Sequence, residues 1–266
     1  MLTSLKYLKG IDFLELLLKE NDMHKLLVAI GITLSSVHAL AAPQLNVGSM
    51  YDYVAASKTT EVKRIMNSGS STAYVRVSVA EIVYDSNGKS SEVAAGEILD
   101  VSKQTDTLIA SPARLIIPAE SSQTVRLLYM GNREKERYFR VRYIPVAPDI
   151  NDQFNLSEKE AEEYKKQLDA GFSIMAGYGT IVMVHPEKTR FDTQVIESES
   201  NIKVTNKGNS TAIVDMIRYC DNSGLNCTPV RVDHLLPGRE KTYEKMSGKK
   251  IYFDIKEFDV KKPYSF

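Results

Sequence analysis

Residues 111–131 read SPARLIIPAESSQTVRLLYMG. Two short runs alternate apolar and polar side chains, 113–117 and 124–129, and Pro118-Ala119-Glu120-Ser121-Ser122 separates them. Alternation with period two, β-branched residues and a turn between the runs predict a pair of half-buried strands rather than a helix. The same pattern spreads outward in both directions. Strand-like runs cover residues 61–66, 73–84, 138–146 and 172–184, then 193–196, 201–205, 212–219, 230–236 and 250–258. Turn signals fall between them: Asn67-Ser68-Gly69, Asp85-Ser86-Asn87-Gly88, Lys207-Gly208-Asn209 and Pro237-Gly238. The fold class expected is all-β, built as sandwiches.

The break at His185-Pro186-Glu187-Lys188 divides the series into domains over residues 42–186 and 187–266. The first is long for a single sandwich, so an insertion is expected. It lies between Pro148 and Phe172, where the sequence DINDQFNLSEKEAEEYKKQLDAG has no strand period. Ser157 and Glu160 form a capping box and Leu156 could staple onto Ala161, which fits a helix near 157–168. The charge density instead suggests a solvated loop.

Before residue 42 the chain carries an address. From Met23, a basic start (His24, Lys25) precedes an apolar run over 26–34 and the small-x-small triplet Ala39-Leu40-Ala41. These are the parts of a secretory signal peptide, with cleavage expected after Ala41. The acids Glu15, Glu20 and Asp22 sit where a signal wants positive charge, so Met23 reads as the true start and residues 1–22 as an extension. Export permits a disulfide. Cys220 and Cys227 flank the turn sequence DNSGLN, which fits a disulfide-closed hairpin; a metal pair would need two further ligands.

Composition narrows the function. Lys+Arg and Asp+Glu each number 34, and zero net charge gives no footprint for nucleic acid. A Ser-His-Asp triad would have to recruit His185, beside a proline, or His234, in a strand-like run, and neither lies in a nucleophile motif. Gly177-Tyr178-Gly179 is not followed by a helix, so it offers no phosphate site. Carboxylates are scattered. An enzyme reading has little behind it, and no cofactor, metal or small-molecule substrate is expected.

Three stretches together resemble the periplasmic pilus chaperones of the chaperone–usher pathway: 111–131, RYFRVRYIPVAP over 137–148, and FSIMAGYGTIVMVHPEK over 172–188. The similarity is greater to the alternate-chaperone branch of colonisation-factor and common-pilus type. Weaker matches are KRIMNSGSSTAYVRVSV over 63–79, the cysteine hairpin and LLPGREKTYE over 235–244. The resemblance implies two immunoglobulin-like sandwiches set at an angle, periplasmic location, and pilus subunits and an outer-membrane usher as partners. It also implies donation of a strand to the subunit, a form of β-augmentation. The donor face would be Phe172, Ile174, Ala176 and Tyr178, with Val182 and Val184 packing inside their own domain. Arg126 and Pro186 would serve the junction between domains.

One family feature is missing. The Lys that anchors the subunit's terminal carboxylate in the better-known branch falls at Ile181, and the companion Arg falls near residues 47–49; neither is basic. Arg140 and Arg142 could offer a basic face instead, or simply face solvent. The competing reading is a secreted structural β-sandwich protein, such as a pilin or adhesin, but that would carry its alternating segment at the mature amino terminus.

Overall fold

The computed structural model describes residues 42–85, 88–94, 107–148, 154–170 and 175–266. The signal segment, Met23 and the donor-face residues Phe172 and Ile174 lie outside the described residues.

Ala41–Phe266 forms one compact unit containing two β-sandwiches. The first packs a sheet of β1 (Leu45–Asn46), β3 (Thr60–Asn67), β8 (Ser121–Met130) and β6 (Thr107–Ser111) against a second sheet. That second sheet runs β2 (Tyr51–Val54), β10 (Tyr178–Val184), β9 (Arg137–Pro145), β4 (Ala73–Tyr84) and β5 (Ser90–Ala94), with β7 (Arg114–Ile117) also on β4. Alternate residues of both sheets meet in one core, including Ile65, Val125 and Leu127 from one side and Val75, Phe139, Tyr143, Val182 and Val184 from the other. The second sandwich joins β11 (Thr193–Glu197), β12 (Asn201–Asn206) and β15 (Glu240–Glu244) to a sheet of β14 (Arg231–Leu235), β13 (Ala212–Asp221), β16 (Lys249–Glu257) and β17 (Val260–Ser265). Its core holds Ile202, Val204, Val214, Ile217, Tyr243, Ile251 and Phe253.

The two sandwiches close one strand-turn each in the same way. Asn67 ends β3 and Asn206 ends β12, each opening the pattern Asn-x-Gly-x-Ser. Both amides are buried. Asn67 Nδ2 donates to Ser71 O at 2.7 Å and Ile117 O at 3.0 Å, while its Oδ1 accepts from Gly69 N at 3.1 Å. Asn206 Nδ2 donates to Ser210 O at 2.8 Å and Leu235 O at 2.7 Å, and its Oδ1 accepts from Gly208 N at 2.9 Å. One side chain thereby satisfies a turn and ties it to another strand.

The structure corrects the solvated-loop reading of the insertion. Helix α1 (Glu158–Ala170) is capped by Ser157, whose N–H donates to Glu160 Oε2 at 2.8 Å while Glu160 N donates to Ser157 Oγ at 3.3 Å. Ala161 and Tyr164 are buried and Leu156 is half-buried. The Phe154 and Tyr164 rings meet Tyr74 of β4 edge-on at 5.4 and 4.9 Å, and Tyr164 Oη donates to Thr72 O at 2.7 Å. The charges occupy the other side of the helix, so mean polarity concealed a narrow apolar stripe. A second correction concerns the run 172–184: its strand begins at Tyr178, and Met175–Gly177 are not in a strand.

Candidate functional site

Strand β10 is paired unequally on its two sides. Toward β9 the antiparallel register is continuous from Tyr178↔Tyr143 to Val184↔Arg137. Toward β2 the parallel register covers only Ile181↔Tyr51 to Val184↔Val54. The chain leaves that sheet before Tyr51, turning at Gly48 with a φ of 66°. Among the described residues no strand pairs with Tyr178–Thr180 on that side. Ile181 N donates to Met50 O at 2.8 Å and His185 N to Val54 O at 3.0 Å, so odd-numbered residues turn their backbone groups toward β2. By strand alternation Gly179 aims its N–H and C=O the same way, beyond the reach of β2. This is an open sheet edge whose central residue has no side chain to obstruct it.

Beside the edge lies a groove of about 300 Å³, lined by Leu45, Asn46, Val47, Gly48, Met50 and Tyr178. Tyr178 packs half-buried against the core and Ala176 is exposed, while Val182 and Val184 are buried in the core. Thr180 and Tyr143 are also fully buried. Burial pushes the Tyr143 phenol well above its ordinary range.

Two basic groups stand next to the positions where this chain lacks the basic residues that the resemblance implies. Arg140 is the register partner of Ile181, and Arg142 that of Gly179. The Arg140 stem crosses Gly179, where an added Cβ would lie 3.4 Å from Arg140 Cδ. Both guanidiniums bind one carboxylate: Arg140 Nε donates to Glu92 Oε1 at 2.9 Å and Arg142 Nη2 to Glu92 Oε2 at 2.5 Å. These hydrogen bonds, Arg142's first, hold the Glu92 carboxyl below its usual range.

The other basic group is Lys63, which no sequence motif marks as functional. Its ammonium is buried on β3, donates to Asp52 Oδ2 at 2.8 Å and Oδ1 at 2.9 Å, and reaches the carbonyl of Ser49. Burial raises the Asp52 carboxyl pKa despite Lys63 beside it. The signal was parity, since Lys63 shares the inward face of β3 with Ile65 and Asn67.

At the junction, Glu136 of the first sandwich accepts from Thr211 of the second and from Tyr138. Tyr53 Oη and His234 Nδ1 are 2.7 Å apart, and His234 stacks on Tyr51 with ring centroids 3.6 Å apart. Arg239 reaches back over Gly88, its guanidinium occupying the space of a Cβ there. Pro186 is buried at the crossing. Arg126 stands exposed on β8 opposite Val62, and the contacts just described use other side chains. Cys220 and Cys227 are joined by a disulfide. Among the described residues no group of three or more His, Cys, Asp or Glu side chains is placed to hold a metal, and no helix is long and apolar enough to cross a membrane.

No family model matches the sequence. Proteins named "Probable fimbrial chaperone EcpB" from Klebsiella pneumoniae (strain ATCC 700721 / MGH 78578) and Escherichia coli (strain K12 / DH10B) are 26% and 25% identical over 225 residues, spanning 84% of this chain and 90% of theirs. Among solved structures, the E. coli chaperone DraB has a similar fold, with a TM-score of 0.50 and 11% identity over 85% of this chain and 97% of that one. In sequence, then, this chain is similar along most of its length to proteins named as probable fimbrial chaperones.

Proposed function

We propose that this protein is a periplasmic chaperone that captures pilus subunits by lending them the open edge of β10, and delivers them to an outer-membrane usher. The observation that carries the reading is the unequal pairing of β10, which turns the Gly179 backbone outward beside a groove. An incoming strand would complete that edge with main-chain hydrogen bonds, while alternate side chains supply the grip. The relatives' names support the same reading.

Phe172, Ile174, Ala176 and Tyr178 are the side chains we assign to the subunit's groove. Each large apolar one buried there contributes about 1.5–3 kcal/mol. Arg140 and Arg142 are assigned to the subunit's terminal carboxylate, one strand away from the position where the family places its Lys. Pro186 and Arg126 keep structural roles. The reading requires no cofactor and no catalytic step, and export directed by the signal at residues 23–41 would place the protein in the periplasm.

A pair of substitutions tests the edge. Gly179→Pro deletes the outward N–H, yet proline is tolerated on an open edge. Gly179→Ala keeps the N–H and places its Cβ in ordinary contact with Arg140. Co-purification with the subunit encoded beside the usher should fall roughly tenfold for the proline variant, with the alanine variant close to wild type. Equal recovery from both variants, each folded, would refute strand donation here.

A further inference from the structure

We propose that Glu92 is an internal substitute for a partner's chain-terminal carboxylate: it occupies Arg140 and Arg142 in the free protein and is displaced when a partner binds. The inference rests on the carboxylate assignment made above. Two guanidiniums two residues apart on β9 point the same way, and one carboxylate gives an oxygen to each. That is the geometry a chain terminus would present. Glu92 comes from β5, which among the described residues pairs with β4 alone and is exposed at every residue. It is the only charged residue of that strand. It reaches the arginines across β4 from the edge strand of the described sheet. The three side chains are 32%, 38% and 34% exposed for Arg140, Arg142 and Glu92, so a solvent-borne carboxylate can exchange with it. The site adjoins the open segment of β10, because Arg140 and Arg142 face Ile181 and Gly179 in register.

The consequence is a threshold on recognition. Half-exposed ion pairs are worth little each, so displacing Glu92 should weaken carboxylate binding roughly three- to tenfold rather than abolish it. Glu92→Gln keeps the size and removes the competing charge.

The test titrates the purified protein and its Glu92→Gln variant with an N-acetylated hexapeptide of alternating Val and Thr. The peptide is used as its free acid and as its C-terminal amide, and the Arg140 and Arg142 Nε–H signals are followed by NMR. Expected is a wild type that prefers the acid, and a variant that binds the acid roughly three- to tenfold more tightly with the amide unchanged. A wild type that prefers the acid, with a variant that gains nothing or gains equally for the amide, would overturn the role of Glu92 alone. Equal affinity of the wild type for acid and amide, or no binding of the acid to either protein, would overturn the carboxylate assignment and this inference with it.

Discussion

The carboxylate of Glu136 in the first sandwich is held by both donors of Thr211 in the second. Thr211 N lies 2.9 Å from Oε1 and 3.0 Å from Oε2, and Thr211 Oγ1 lies 2.6 Å from Oε2. Tyr138 Oη adds a further bond at 2.6 Å, and the Glu136 side chain is only 1% exposed. A charge can be buried this deeply because three donor groups replace its water. Glu136→Ala strands those donors in the junction and should cost about 3 kcal/mol. Glu136→Gln can still accept from Thr211 N and should cost clearly less. Chemical denaturation of the three proteins checks the order.

Acidification should loosen the same junction through its histidines. Burial holds the His185 imidazole below its ordinary range, with Arg133 adding to the effect, and burial does the same to His234. The folded protein therefore binds fewer protons than the unfolded chain just below pH 6.5, and stability falls as pH drops through that value. Glu136 works in the opposite sense, because burial raises its carboxyl pKa and protonation favours the folded state. His185→Gln should flatten the acid-side loss between pH 7.5 and 5, and Glu136→Gln should steepen it. Thermal unfolding across that range reads both slopes; parallel profiles for all three proteins would contradict this.

Asn67 and Asn206 should be interchangeable in effect though they sit in different sandwiches. Each amide serves at least two carbonyls and one glycine N–H in a buried turn, and Asn67 adds a bond to Pro118 O at 3.2 Å and one from Gln44 N at 3.0 Å. Replacing either by Ala leaves those groups unsatisfied and should lower stability by about 2–3 kcal/mol. Replacement by Asp should do no better, since it cannot donate. Urea midpoints of the four single variants test this.

Much of the framework was legible because period-two alternation over Val, Ile and Tyr is a strong signal. The strand-like run 73–84 has the same bounds as β4. Strands with few buried apolar residues escaped notice. In β5 every residue is exposed, β15 buries only Tyr243, and β17 carries Lys261, Lys262 and Pro263, devices that blunt a free edge. The site was legible in parts. Alternation placed Tyr178, Val182 and Val184 on one face, and the absence of a basic residue at Ile181 was plain. Which neighbouring strand would bring Arg140 opposite Ile181, and that Glu92 would bind both arginines, depends on strand order. Period alone says nothing about strand order. Lys63 was hidden for a related reason: a lysine on an inward face looks like a break in the pattern until Asp52 is placed beside it.

Amide hydrogen exchange at Gly179, measured in the free protein and in complex with a pilus subunit, tests strand donation most directly. In the free protein its N–H faces an edge that β2 does not reach, so exchange should be fast compared with Val182, which is paired with Phe139. In the complex the incoming strand should slow Gly179 exchange by at least about tenfold, the mark of a new main-chain hydrogen bond. A complex that forms while Gly179 exchanges at its free rate would contradict donation of this edge.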